Sequence, residues 1–125
     1  MTAWLSSVPA QISDQRLVSP SFSLPEEETP LSLSFWHRWT FDSASVCNDG
    51  GVLEISTNNG VTWSPVPANV LLTTPYTGVI RSGVFNPLAR RQAWCGVTDW
   101  SWTVVDLAAY AGQNVIFRFR MGSGD

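Results

Sequence analysis

The sequence predicts an all-β fold, an antiparallel β-sandwich, on three observations. Short segments of alternating apolar and polar residues recur along the chain, turn residues separate them about every ten positions, and helical periodicity is almost absent. Eight prolines and nine glycines supply the turn signals. With 125 residues, of which 44% are hydrophobic and 14% charged, the chain suits a single folded domain spanning residues 1–125.

The longest predicted strand, 31–41, has apolar side chains and His37 at its odd positions. Its even positions carry Ser, Thr, Trp36 and Arg38. This alternation is typical of a strand with one buried face. The strands predicted in chain order are 17–19, 21–24, 31–41, 51–57, 61–64, 79–81, 92–97, 101–107 and 114–121.

The connections between strands are indicated by their residue types. Strand 51–57 is followed by Asn-Asn-Gly at 58–60, residues that tolerate the positive φ of a hairpin turn, and 61–64 returns as its partner strand. One helical turn is predicted at 107–111, closed by a glycine. Alternation then resumes at 114–121, so the chain reads as strands throughout.

Charge and hydropathy exclude several functions. Ten acidic against seven basic residues give a net charge of −3, which argues against duplex nucleic acid or an anionic membrane as a partner. No apolar run reaches the roughly 18 residues of a membrane span. His37 is the only histidine and lies in phase with the apolar face, so we expect a hydrogen-bonded core residue and no enzymatic activity. A hydrolase fragment is the alternative, and it would require a cleft converging on His37.

The two cysteines, Cys47 and Cys95, are too few for a zinc site with a single histidine. They form either a disulfide or two separate buried thiols. A disulfide closing a loop of this length would stabilise the fold by about 4 kcal/mol in the chain-entropy model.

Residues 56–63, Ser-Thr-Asn-Asn-Gly-Val-Thr-Trp, resemble the Asp-box hairpin, with Asn58 in place of the usual Asp. The order of blocks along nearly the whole chain resembles the jelly-roll, MAM-like accessory domains of secreted bacterial proteins. Such domains occur beside immune inhibitor A-like and fungalysin-like metallopeptidases and in cell-surface proteins. The blocks that carry the resemblance are 17–20, 33–42, 49–56, 86–88, 93–96, 105–113 and 117–123.

The resemblance implies a jelly-roll sandwich that lacks its last strand, and therefore a fragment of a larger protein. The missing strand would leave an open sheet edge. We expect that edge to be filled by a neighbouring chain, giving a homo-oligomer, or to be covered by the amino-terminal segment. The location implied is extracellular or at the bacterial cell surface.

The resemblance also implies a structural Ca²⁺ site near the loop before the Asp-Gly-Gly sequence. Its predicted ligands are Asp42, Asp49 and Asp125, with Glu54 as a weaker candidate. Ca²⁺ is held by six to eight oxygens, which carboxylates and loop carbonyls can supply. The alternative is that Asp42 and Asp49 only cap turns and that the terminal Asp125 frays.

Exposed tryptophans provide a second candidate site, because indole rings stack on sugar rings. The predicted carbohydrate-binding residues are Trp36, Trp100, Trp102 and Arg38, with Arg118 and Arg120 as further polar partners. Trp100 is placed in a loop and Trp102 in the strand after it. The alternative is that the tryptophans only cover a sheet or the open edge.

Two functions follow. The first is a non-catalytic accessory or adhesion module that supports a neighbouring domain of its parent protein. The second is a carbohydrate-binding module.

Overall fold

The computed structural model of the chain describes residues 5–6, 12–27, 30–41, 47–82 and 85–124. Within them, strands dominate and helix is limited to single 3-10 turns at Ala68–Val70 and Ala108–Tyr110. No described helix is long and apolar enough to cross a membrane. The strands are β1 (Ser13–Val18), β2 (Phe22–Ser23), β3 (Ser32–Thr40), β4 (Gly50–Ser56), β5 (Ser64–Pro65), β6 (Gly78–Val79), β7 (Gln92–Ala93), β8 (Val97–Asp106) and β9 (Asn114–Ser123).

Two antiparallel sheets pack against each other. The first has the order β1-β9-β4-β5, and β2 continues along the β9 edge that β1 occupies. The second pairs β3 with β8, and Leu71 bridges to Val105 on the other side of β8. The β6-β7 ribbon adjoins the first sheet where Trp94 bridges to Gly51. The prediction of an all-β antiparallel sandwich is confirmed, while the jelly-roll type stays a prediction.

The core lies between the inner faces of the two sheets. Leu53 and Ile55 of β4 are 0% and 2% exposed, and Val105 of β8 is 0% exposed. Trp94 lies at the centre, with its ring 4.7 Å from the rings of both His37 and Tyr76. The alternation of β3, β4 and β9 therefore places their apolar side chains as the sequence predicts.

A second apolar cluster covers the other face of β4. It contains Val52, Ile80, Leu88, Ala93 and the two cysteines. Gly50 and Gly122 are cross-strand partners that leave room for this segment. A Cβ on Gly50 would lie 3.0 Å from the Cβ of Ala93, and one on Gly122 would lie 2.9 Å from the Cγ of Leu88. Two facing glycines thus let Ile80, Leu88 and Ala93 pack directly on the sheet.

The structure joins Cys47 to Cys95 in a disulfide across 48 positions of sequence. Of the two alternatives that the sequence leaves open, the bridged one is present. Gly78 lies directly beneath it, and a Cβ there would stand 2.6 Å from the Sγ of Cys47. A side chain at this position would therefore collide with the bridge.

The region 92–107 differs from the prediction of two strands joined near residues 98–100. β7 is only Gln92–Ala93, and β8 runs unbroken from Val97 to Asp106. A bulge in the β3–β8 pairing sets Asp99 and Trp100 against a single residue of β3. An extra residue of this kind kinks a strand without ending it, so a turn-like sequence lies inside a strand.

The hairpin after β4 has the predicted turn chemistry. Asn58 accepts a hydrogen bond from the Thr62 backbone N–H at its Oδ1, 2.9 Å away, and the Gly60 N–H donates to the Ser56 Oγ at 2.8 Å. Asn59 and Gly60 both have positive φ, 61° and 85°. The returning strand β5 is shorter and later than expected, because these side-chain hydrogen bonds extend the turn as far as Thr62.

Candidate functional site

The outer face of the β3–β8 sheet carries a cluster of exposed aromatic side chains. We call Trp36, Arg38, Trp100 and Trp102 the aromatic platform. Trp36 and Trp102 are cross-strand partners whose ring centroids lie 5.0 Å apart. The Arg38 guanidinium carbon lies 5.8 Å from the centre of the Trp100 ring. All four predicted carbohydrate-binding residues therefore meet on one surface.

The platform residues are exposed although they are largely apolar. Trp36 is 61% exposed, Trp100 50% and Trp102 38%. Leu72 and Val97, at 62% and 67%, are further exposed apolar residues beside β8 and at its beginning. Exposed apolar side chains that lie together mark binding surfaces, whereas isolated ones are ordinary features of a protein surface.

The backbone beneath the platform is held in place from the side opposite β3. Thr73 and Thr74 both donate their hydroxyls to the Trp102 carbonyl, at 2.5 Å and 2.9 Å. The Leu72 N–H donates to the Val104 carbonyl at 2.7 Å. These hydrogen bonds fix the β8 edge, so the indole rings stand on a rigid support.

Two sequence predictions about this surface are wrong. Trp100 lies inside β8 and not in a loop, because the β-bulge accommodates Asp99 and Trp100 without ending the strand. Arg118 and Arg120 do not accompany the tryptophans, because β9 belongs to the other sheet. Arg118 instead lies over the ring of Trp63, 4.4 Å from its centre. Arg38 is the arginine that the structure places at the platform.

His37 faces the core, as the alternation of β3 predicts. Its Nε2 is 2.7 Å from the Thr103 hydroxyl, and its ring packs against Phe35, Trp39 and Trp94. Burial lowers the pKa of His37 to about 4. No ion pair links it to a carboxylate within the described ranges. The imidazole is thus neutral and held as a packing residue.

This placement predicts a pH dependence of stability. The pKa of His37 is near 6.5 in the unfolded chain and about 4 in the folded chain. Between these two pH values the unfolded chain binds a proton that the folded chain does not. The free energy of unfolding is therefore highest above pH 6.5 and falls as the pH is lowered toward about 4. We expect a loss of about 1–2 kcal/mol across this window, after discounting for the partial exposure of the ring. Urea unfolding at a series of pH values measures it. His37→Gln should flatten this part of the profile, and an unchanged slope in that variant would contradict the assignment.

The predicted calcium ligands fall mostly outside the described residues, where Asp42 and Asp125 lie. Asp49 is buried, and its Oδ1 accepts a hydrogen bond from the Gly124 N–H at 2.9 Å. The neighbouring Asn48 Oδ1 is a buried oxygen for which no described residue supplies a hydrogen-bond donor. Oxygens of this type suit Ca²⁺, although no group of three potential ligands occurs among the described side chains. The calcium site stays a prediction.

Glu54, the weaker calcium candidate, is instead the centre of an arginine cluster on the outer face of the first sheet. Its Oε1 accepts from the Arg118 Nε and its Oε2 from Arg91, both at 2.5 Å, and Arg120 lies 3.5 Å away. Burial alone would raise the pKa of Glu54, but the hydrogen bonds and charges of Arg91 and Arg118 outweigh it and leave that pKa lowered. The carboxylate is already surrounded by cations, which argues against a metal there.

The same cluster continues to Asp14 of β1. Arg120 donates to both carboxylate oxygens of Asp14, at 2.9 Å and 2.7 Å, and Arg16 approaches the same group. These contacts lower the pKa of Asp14 to about 2, the Arg120 hydrogen bond being the main cause. Sequence reasoning missed this network. The available signal was the in-phase placement of Glu54, Arg118 and Arg120 on the polar sides of two strands.

A pocket of about 230 Å³ lies at the end of the sandwich beside Trp39. Its lining includes Thr74, Thr77, Thr98 and Cys95, and the Trp39 indole N–H donates to the Cys95 carbonyl at 3.0 Å. None of the described residues that line it is an acid, a base or a cysteine with a free thiol. The described lining is therefore uncharged.

Compared with known proteins, the chain matches no protein-family model, no curated protein and no solved structure. The likeness to MAM-like accessory domains therefore remains a prediction from the sequence.

Proposed function

We propose that the chain is a non-catalytic accessory module of a secreted or cell-surface bacterial protein, and that it adheres to carbohydrate through the aromatic platform. The observation that carries the proposal is the convergence of Trp36, Trp100 and Trp102 with Arg38 on one exposed sheet face. Indole rings offer large apolar faces to sugar rings, and a guanidinium beside them can donate hydrogen bonds to hydroxyl or carboxylate oxygens.

The shape of the platform indicates the kind of glycan. It lies on a sheet face and not in a cleft, and Trp36 and Trp102 are tilted by 44° to each other. An open surface contacts the side of an extended chain better than it encloses a single sugar. The ligand class proposed is therefore a polysaccharide bound along its length.

The non-catalytic part of the proposal rests on the other titratable groups. His37 is packed among aromatic rings, and Glu54 is surrounded by arginines. Neither is available to transfer a proton to a ligand on the platform. The disulfide supports a location outside the cytosol, because oxidising compartments preserve such bonds.

Affinity electrophoresis through gels containing soluble polysaccharides tests the proposal. We expect retardation by at least one polysaccharide, and Trp36→Ala or Trp102→Ala should weaken the binding about tenfold by removing a stacking face. Trp63→Ala is the matched control, because Trp63 packs against Arg118 on the opposite sheet. Retardation that persists in both platform variants would refute binding at this site.

A second candidate function is favoured by Leu72 and Val97, which extend the exposed surface with aliphatic side chains. Sugars stack on aromatic rings, whereas a protein partner also packs against aliphatic groups. On this hypothesis the platform docks against a neighbouring domain and the module is purely structural. A complete absence of retardation across a broad glycan panel would favour it over sugar binding.

A further inference from the structure

The edge of β3 that faces away from β8 has no paired strand within the described ranges. The Leu107 N–H donates to the Leu31 carbonyl, so the odd residues of β3 direct their backbone groups toward β8. Beyond the bulge, the hydrogen bond from the Phe41 N–H to the Gly96 carbonyl keeps the same phase. The backbone N–H and C=O groups of the even residues, 32 to 40, therefore point outward along an open edge.

The side chains of β3 also show that this edge is incompletely covered. Leu33, Phe35 and Trp39 face the core but are only half-buried, whereas their counterparts Leu53 and Ile55 on β4 are fully buried. Phe35 packs edge-on against Phe119 at 4.9 Å, yet Phe119 is half-buried as well. Among the described residues, the sandwich therefore lacks cover beside β3.

We propose that two copies of this chain pair through their β3 edges. The strands would run antiparallel about a twofold axis at Trp36, forming a continuous sheet of the order β8-β3-β3-β8. In this register Trp36 faces the partner's Trp36, Ser34 faces the partner's Arg38, and Ser32 faces the partner's Thr40. In each of these even-numbered pairs, the free backbone N–H and C=O groups point at the other strand. Each pair therefore forms two hydrogen bonds between the strands.

A second copy is the occupant that the edge itself fits. Natural edge strands are usually protected by lysine, proline or inward-pointing charges, but β3 contains no lysine, no proline and no acid. Its one formal charge, Arg38, would be offset by four residues from the partner's Arg38. That separation is about 13 Å, longer than the roughly 8 Å Debye length at physiological salt. Charge repulsion therefore does not oppose the pairing of this edge with a second copy of itself.

The side chains also match across the proposed axis. On the core side, Phe35 would lie opposite the partner's His37, and Leu33 opposite the partner's Trp39, which would cover the half-buried row. On the outer side the two Trp36 rings would meet between the two Trp102 rings. The pairing is isologous, the arrangement that closed dimers use. It depends on backbone groups and does not require that the platform bind sugar.

Sedimentation velocity across a wide concentration range tests the proposal on the whole chain. We expect a concentration-dependent monomer–dimer equilibrium. Ser34→Pro removes an N–H for which the described part of the chain supplies no acceptor, at an edge position where proline is tolerated. Trp36→Lys places two ammonium groups at the axis. Each variant should raise the dimer dissociation constant at least about a hundredfold.

Leu72→Lys is the control, since Leu72 is equally exposed but lies beyond the far side of β8. Near-ultraviolet circular dichroism verifies folding, and if one edge variant fails to fold, the other carries the test. Slower amide exchange at Ser34 and Trp36 with rising concentration would further support the pairing. A monomer at all concentrations, a dimer unaffected by the folded edge variants, or one that Leu72→Lys disrupts equally would overturn it.

Discussion

Replacing Glu54 with alanine is expected to lower the free energy of unfolding by about 3 kcal/mol. The carboxylate is 3% exposed and lies among Arg91, Arg118 and Arg120. Its removal would leave the partly buried guanidinium groups of Arg91 and Arg118 without this counter-ion, and Arg120 with only Asp14. Removing one member of a buried ionic group is far more damaging than replacing the whole group with apolar residues. Urea unfolding at neutral pH measures the loss.

Matched variants separate this effect from general loss of packing. Glu54→Gln keeps the size of the side chain and removes only the charge, so most of the loss should remain. Asp14→Asn removes a carboxylate that also binds Arg120 but is more exposed, and should cost less than about 1 kcal/mol. Glu27→Gln changes an exposed side chain and should have no effect. Ordinary surface substitutions change the free energy of unfolding by up to about 0.5 kcal/mol. If Glu54→Ala stays within that range of wild type, Glu54 is not the stabilising centre of the arginine cluster.

The acid behaviour of the protein should reflect the same cluster. The pKa values of Glu54 and Asp14 are both lowered in the fold. Their stabilisation is therefore complete above the pKa values of the unfolded chain and is lost as the pH falls through the folded ones. For Asp14 that loss extends from near pH 3.8 to about pH 2. The loss from Asp14 begins below the pH range, 6.5 to about 4, in which His37 lowers the stability. The contributions of Asp14 and His37 can therefore be separated in one pH series.

Breaking the bond between Cys47 and Cys95 is expected to destabilise the protein by about 4 kcal/mol, since the bridge closes a long loop in the unfolded chain. The bond also lies inside the second apolar cluster and ties residue 47 to the segment that packs on Gly50 and Gly122. Reduction should therefore loosen that segment first. Thermal unfolding with and without reductant measures the change.

The Cys47→Ala and Cys95→Ala variants provide the internal control. Each removes the same bond, so their midpoints should agree with each other and with that of the reduced wild type. Neither should respond further to reductant. If thiol titration shows complete reduction of the wild type while its unfolding midpoint stays in place, the bridge contributes little and the prediction fails.

Several features of the fold were predictable because they depend on neighbouring residues. Alternation over β3 placed His37 inward and Trp36 outward, and both are found there. The Asn-Asn-Gly turn followed from residues that accept positive φ. The 3-10 turn at Ala108–Tyr110 was predicted as a helical turn closed by Gly112, whose φ is 79°.

Other features were beyond sequence reasoning because they depend on contacts between distant segments. The partner of Trp36 is Trp102, and that pairing requires the register of β3 on β8. Arg118 was placed on the polar face of its strand, but only sheet order shows that this face contacts Glu54 and not the tryptophans. The turn-forming residues Thr98 and Asp99 predict a loop at Trp100, whereas the bulge keeps these residues in β8.

By itself the sequence determined the class of fold and the side of each strand to which a residue belongs, because the pleat of a strand imposes a period of two. The tertiary structure alone decided which strands are neighbours, and with them the aromatic platform, the arginine cluster around Glu54 and the β3 edge that no other described strand pairs. These depend on hydrogen-bond register and sheet packing between residues far apart in the chain, and no local pattern records that information.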